Sequence, residues 1–304
     1  TLMSASAVTG SEILLDGVIK SHLDAIIPCF EQAGCKVEFE KQKISVYQAL
    51  NENSDGNAVR VCEFFRIQSK YYIAMPKVEA LPWGVEEVAS LTDCAKRRLC
   101  AVIAHGIAGL HRGHVIHADL KHDNILFTRT AAGTITAKII DFDSSFLESA
   151  PPASGEDIIG DLVYFSPEAC SSIWGIEVPL SCKMDIFSLG VLFHQYFAGE
   201  LPEFDVRECN YAGEAVAKGF PLSVSPTIPE DVAQLLDRML SPDPEMRPDA
   251  MEVFHALSGT LPGLAPADAD SEPYVEPLPD VTFRNEPAEA VYSGGQPFFT
   301  PGDL

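Results

Sequence analysis

The sequence of 304 residues has little positive charge: 21 Lys and Arg stand against 44 Asp and Glu, a formal net charge of -23. Nucleic acid is therefore not an expected partner, because its phosphates would be repelled. Anionic membrane surfaces are disfavoured for the same reason. No run of eighteen or more apolar residues occurs, so no transmembrane segment is expected. The eight cysteines, at 29, 35, 62, 94, 100, 170, 182 and 209, never form a CxxC pair, which argues against a zinc site. There is no Asn-x-Ser/Thr sequon. The first eighty residues contain only Gly10, Gly17, Gly34 and Gly56, never as Gly-x-Gly. A glycine-rich loop lets backbone N–H groups approach phosphates where a Cβ would clash, and that device is missing. The chain opens on Thr1 with no basic-then-apolar leader after it, which fits either a removed leader or a trimmed start.

What is present suits a globular chain: 46% hydrophobic and 21% charged residues, enough for one large domain or two lobes. The even cysteine count permits disulfides, with Cys29–Cys35 and Cys170–Cys182 the candidate pairs by proximity. Buried small hydrophobes are the other reading, and the residues leave both open. Periodicity predicts a strand at Glu12–Leu15, a helix over 21–33 interrupted by Pro28, and a helix over 44–52. Strands follow at Val59–Ile67 and Tyr71–Val78. A long helix is expected from Asp93 to Arg112, with Leu99, Ile103, Ile107 and Leu110 on one face. Short apolar runs at Ile125–Phe127 and Ile135–Ile140 lead into Asp141-Phe142-Asp143. Residues 144–160 read as a polar loop. Helices are predicted at Lys183–Gly199, Pro229–Leu240 and Asp249–Leu257. Beyond Leu261, eight prolines and eight acids against one Arg indicate an extended, acidic tail.

The chemistry is concentrated in His117-Ala118-Asp119-Leu120-Lys121-His122-Asp123-Asn124, followed seventeen residues after Asn124 by Asp141-Phe142-Asp143. This string resembles the catalytic loop and metal-binding loop of a Ser/Thr protein kinase, H-R-D-L-K-x-x-N then D-F-G. Three further stretches follow in the family's order. Gly160–Glu168 resembles the end of an activation segment, with Ser-Pro-Glu at its close. Lys183–Val191 resembles the buried central helix of the large lobe, and Pro242–Pro248 resembles the Arg turn that pairs with the activation-segment Glu. The resemblance implies an α+β, bilobal protein-kinase fold. Its divergent small N-lobe (1–78, with the hinge) would be mainly β with a helix, and its large C-lobe (79–261) helical, with a Pro-rich acidic extension at 262–304. It also implies that Asp119 accepts the substrate proton, Lys121 neutralises the transferred phosphoryl, and Asn124 and Asp141 hold magnesium. Glu168, Asp185 and Arg247 would be structural.

Upstream, the resemblance makes Met75 the gatekeeper and Pro76–Val78 the hinge, with Val78 beside the nucleotide. Lys20 is the preferred phosphate-binding Lys, with Lys41 and Lys43 as alternatives, and Glu40 is the nearest acid to serve as its partner. The family's Glu position falls near Val46. Asp143 stands where the metal loop has Gly, and Ala118 where the catalytic loop has Arg. The absence of a glycine loop, the acidic chain, the several cysteines and the divergent small lobe together resemble the secreted kinases and pseudokinases of coccidian parasites that lack a glycine loop, near the bradyzoite pseudokinase. That resemblance implies secretion into a parasitophorous vacuole or cyst, and it favours paired cysteines. Three functions follow: a pseudokinase that binds a protein partner and needs no cofactor; an active Ser/Thr kinase using ATP and Mg; or a structural component docking through the acidic tail. The pseudokinase is preferred. Oligomeric state, substrate and partner are not legible.

Overall fold

The structure is a computed structural model that describes residues 40–54, 56–67, 70–130, 133–259 and 282–285. The expected elements at Glu12–Leu15 and 21–33, together with Lys20, Cys29 and Cys35, lie outside the described residues. The chain divides into two compact units: residues 40–44, 61–76 and 282–285 belong to the first, and residues 45–60 and 77–259 to the second.

Helix α1 (Glu40–Asn53) starts a turn earlier than its apolar pattern suggested. In its second-unit part, Val46, Tyr47 and Leu50 are buried together, the spacing of one helical face. Strands β1 (Glu63–Ile67) and β2 (Lys70–Ala74) pair antiparallel in the first unit, from Glu63 opposite Ala74 to Ile67 opposite Lys70. The expected strand Val59–Ile67 is in fact split. Ala58 bridges Ile139, and the Val59 N–H donates to the Ile139 carbonyl at 2.9 Å, so the front of the run serves the second unit. The second expected strand stops at Ala74, ahead of Pro76, which has no N–H to continue a ladder.

In the second unit, α2 (Val85–Ala89) precedes the long α3 (Asp93–Arg112). Thr92 caps α3 by accepting from the Ala95 N–H, and His111 and Arg112 lie in its last turn, where the helix dipole favours cations. The end of α1 lies against α3 at two glycines. A Cβ on Gly109 would stand 2.8 Å from the Asn53 carbonyl oxygen, and one on Gly113 2.7 Å from Asn53 Nδ2. Strand β3 (Val115–Ile116) opens the catalytic-loop string, and the hairpin of β4 (Ile125–Arg129) and β5 (Ile135–Ile139) closes it. Strand β6 (Phe146–Leu147) pairs with β3. The span 144–160 is thus not wholly a polar loop: Phe146 and Ile158 are buried in a cluster with Ile116, Phe165 and Met184.

Helices α4 (Pro167–Ile173), α5 (Lys183–Ala198), α6 (Ala212–Ala217), α7 (Glu230–Met239) and α8 (Ala250–Ser258) complete the unit. Helix α5 is buried nearly all round and ends at Gly199, whose φ of 80° suits a residue without Cβ. It packs against α2, α3 and α7, while α3 also packs against α8. Cys170 and Cys182 both touch the cluster around Met184 but are free thiols, so the expected bridge between them is not formed. Apolar packing of each thiol takes its place, and burial, the largest influence on both, pushes their pKa values up. Strand β7 (Thr282–Asn285), from the acidic extension, lies parallel to β1 on the side away from β2.

Candidate functional site

The catalytic-loop string is held from below by one carboxylate. Asp185, in the first turn of the buried helix α5, accepts from the backbone N–H groups of His117 at 2.9 Å and Ala118 at 3.0 Å. His111 at the end of α3 approaches the same carboxylate at 2.9 Å. Burial alone would raise the Asp185 pKa, but the His111 bond and the donors around it hold it below the ordinary value. His117 is fully buried, and burial holds its imidazole below its usual pKa. The neutral ring spans the loop, with Nε2 3.1 Å from the Ile140 carbonyl and Nδ1 3.4 Å from the Asp119 N–H. These bonds support two backbone positions in the left-handed region, Ala118 at φ 66° and Asp141 at φ 64°. Non-glycine residues there carry strain that persists when the surroundings over-determine it, and such positions gather at functional sites.

Asp119 is the focus of the loop. Its Oδ2 meets Lys121 Nζ at 2.8 Å and accepts from Asn124 Nδ2 at 3.1 Å, while its Oδ1 accepts from the Asp161 N–H at 2.9 Å. Asn124 Nδ2 also donates to the Asp119 carbonyl at 2.8 Å. Burial works against the charge on Lys121, but the bond to Asp119 and the charges of Asp119, Asp161 and Asp141 together raise its pKa. The approach of the 160s to Asp119 requires glycine at 160, because a Cβ there would lie 2.5 Å from the Phe165 ring and 3.2 Å from Asp119 Oδ1. Phe142 is buried against His117, with ring centroids 5.2 Å apart, while Asp141 and Asp143 on either side of it are exposed.

Further down the segment, Ser166 caps α4, Pro167 fills its first turn and Glu168 turns inward. Glu168 meets Arg247 in a two-pronged pair, at 2.7 Å to Nη2 and 3.1 Å to Nη1. Arg247 also donates to the carbonyls of Ser241 and Lys183 and lies over the Phe187 ring.

A match over most of the chain accompanies this geometry: a family model described as protein kinase domain fits residues 29–257. The chain belongs to the protein kinase family. The kinase domain resembles the Myxococcus xanthus serine/threonine-protein kinase pkn2, at 30% identity over 69% of this chain and 25% of that protein. It also resembles the Saccharomyces cerevisiae cell cycle serine/threonine-protein kinase CDC5/MSD2, at 28% identity over 82% of this chain and 35% of that protein. The chain therefore spans about a quarter to a third of the length of these relatives. Among solved structures, it matches a crystal structure of the Rad53 kinase domain and SCD2 in complex with AMPPNP. There the TM-score is 0.48 and the identity 22%, covering 69% of this chain and 76% of that one. The bilobal α+β kinase fold, with a helical large lobe, is the fold of this chain.

The residues of the second unit fit a nucleotide-borne magnesium. Asn124 spends its amide donors on Asp119 and keeps its carbonyl oxygen, and the Asp141 carboxylate is exposed. Magnesium is typically held by one or two protein oxygens together with phosphate oxygens and water. Among the described residues no group of three or more His, Cys, Asp or Glu side chains could hold a metal ion unaided. Met75 is 41% exposed and Val78 is half-buried, with the boundary between the units falling between Pro76 and Lys77. Glu40 opens α1, and Val46 is buried at 1% exposure. Sequence reasoning missed Asp161 and His111. Asp161 sat inside a motif already assigned, and His111 acts across a long separation that no local pattern marks. No helix among the described residues is long and apolar enough to cross a membrane.

Proposed function

We propose that this kinase domain works as a pseudokinase, a regulatory or scaffolding module that binds a protein partner and holds nucleotide weakly or not at all. The observation that carries this reading is Val46. In the family, the helix before the first unit's hairpin supplies a Glu to the phosphate-binding Lys. The resemblance puts that place near Val46, which is buried, and a carboxylate there could not sit unpaired without a large desolvation penalty. Two acids beyond those the chemistry needs, Asp143 and Asp161, stand near Asp141, Asp119 and the ammonium of Lys121. They make the site costlier for a triphosphate. The missing Gly-x-Gly removes backbone donors as well.

A second reading, an active Ser/Thr kinase with a non-standard nucleotide pose, is favoured by the assembled trio of Asp119, Lys121 and Asn124. The two separate in a thermal-shift titration with ATP and Mg. A ligand at about 100 times its dissociation constant adds about 2.7 kcal/mol of stability. The pseudokinase reading expects little or no shift at millimolar ATP. A clear shift that vanishes in Asp141→Ala, with phosphate transfer lost in Asp119→Ala, would establish the enzyme instead. The finer affinity to secreted coccidian pseudokinases, and with it a vacuolar or cyst-associated location, belongs to the same proposal and rests on the resemblance alone.

A further inference from the structure

Past the boundary at Lys77 the chain runs beside β4, and alternate residues are stitched to it. The Glu79 carbonyl accepts from Thr128 Oγ1 at 2.8 Å, and the Leu81 N–H donates to the Phe127 carbonyl at 2.7 Å. For the next alternate group, the Trp83 carbonyl, a side chain takes over from the strand: His122 Nε2 lies 3.0 Å away. A carbonyl only accepts, so Nε2 carries the ring proton, and Nδ1 accepts from the Tyr196 hydroxyl at 3.1 Å. Tyr196 is fully buried in the last turn of α5, and burial foremost pushes its phenol pKa far up, so the hydroxyl keeps its proton to donate. Its ring meets the His122 ring edge-on at 5.7 Å, and Phe127 lies 6.1 Å from both and 5.7 Å from Trp83.

These bonds hold the first residue of a short turn, His122–Asn124, whose start no side chain caps. Lys121 precedes the turn and Asn124 closes it, with the Asn124 N–H on the Lys121 carbonyl at 3.1 Å. Rotation of the turn would carry both side chains away from Asp119, which each now meets. We propose that His122 is a positioning residue: pinned between 79–83 and α5, its ring sets the turn from which Lys121 and Asn124 reach Asp119. The inference rests on reading 117–124 as the catalytic loop and deepens the proposed function. A loop set by its own side chains keeps one surface for a partner without nucleotide.

Labelling of the full chain with acetic anhydride, without nucleotide and read residue by residue in a mass spectrometer, tests this. Burial opposes the charge on Lys121, but the bond to Asp119 raises its pKa and keeps the amine slow to acylate. His122→Phe keeps a ring and removes both bonds, while Tyr196→Phe removes only the second. Losing one bond should speed Lys121 labelling about fivefold, and losing both should speed it more. The double variant should label no faster than His122→Phe, because the second bond can be lost only once. His122→Gln, which keeps a donor for the Trp83 carbonyl, should recover part of the loss. Lys183, whose Nζ donates to the Arg247 carbonyl at 2.6 Å, should label at an unchanged rate and report an intact fold. Unchanged Lys121 labelling in the single variants, a parallel rise at Lys183, a faster double variant, or no recovery with Gln would overturn the proposal. Should His122→Phe fail to fold, Tyr196→Phe decides by the same readout. Since no ATP is present, failure here leaves the nucleotide reading untouched, and a failed nucleotide reading leaves this result standing.

Discussion

Arg247 is only 1% exposed, and its guanidinium is surrounded by a carboxylate, backbone carbonyls and an aromatic ring. Glu168 accepts one hydrogen bond from Nη1 and lies 2.7 Å from Nη2, the carbonyls of Ser241 and Lys183 accept others, and Phe187 lies beneath it. Such a pair contributes little beyond an apolar equivalent while intact, yet removing one partner strands the other charge. Arg247→Ala should therefore lower unfolding stability by roughly 3–5 kcal/mol, read as a drop in the urea midpoint. A loss under about 1 kcal/mol would mean solvent reaches Glu168. The pair was legible in the sequence because both members sit in ordered motifs. Asp161 was not, because its relation to Asp119 depends on the chain folding back at Gly160.

The long helices were legible and the short ones were not. Helices α3 and α5 run close to their expected bounds because several turns of apolar spacing accumulate in each. Helices α2, α4 and α6 are too short for a period to show, and what fixes them is packing, α4 against α6 and α2 against α5. Helix α8 carries its own start signal: Asp249 accepts from the Glu252 N–H at 2.7 Å while Glu252 returns a bond to the Asp249 N–H at 2.8 Å. Asp249→Ala should cost about 1 kcal/mol, measured by denaturant unfolding, with Asp249→Ser recovering most of it. Equal losses in the two variants would show that the cap is not what holds the helix. The strand expected at Val59–Ile67 failed for a different reason: its two halves serve different units, a division that composition along the run does not reveal.

For the molecule as a whole, the buried titratable groups set a direction for stability against pH. His117 and His194 are held neutral, mainly by burial, with their pKa values below the ordinary imidazole value of about 6.5. As pH falls through that value, the unfolded chain takes up protons that these two refuse in the fold, so stability declines. Asp185, held below the ordinary carboxylate value of about 3.9, acts in the same direction further down. The net charge of -23 shrinks over the same range and relieves repulsion, but at about 0.15 M salt screening weakens that opposing effect. Urea midpoints at about pH 7.5, 6.5 and 5.5 should fall in that order. A flat or rising series would show that surface repulsion outweighs the two histidines.

By itself, the order of residue types along the chain determined the family. An Asp two residues before a Lys and five before an Asn makes a self-contained loop, and Glu, Asp and Arg at motif positions announce their partners, because each answers to local geometry that the family repeats. Only the tertiary structure decided what replaces the missing parts. It buried Val46, kept Cys170 and Cys182 as packed thiols, and laid the tail's Thr282–Asn285 along β1. Those outcomes join residues far apart in sequence, and their free energy comes from burial and pairing that exist only once distant segments have met.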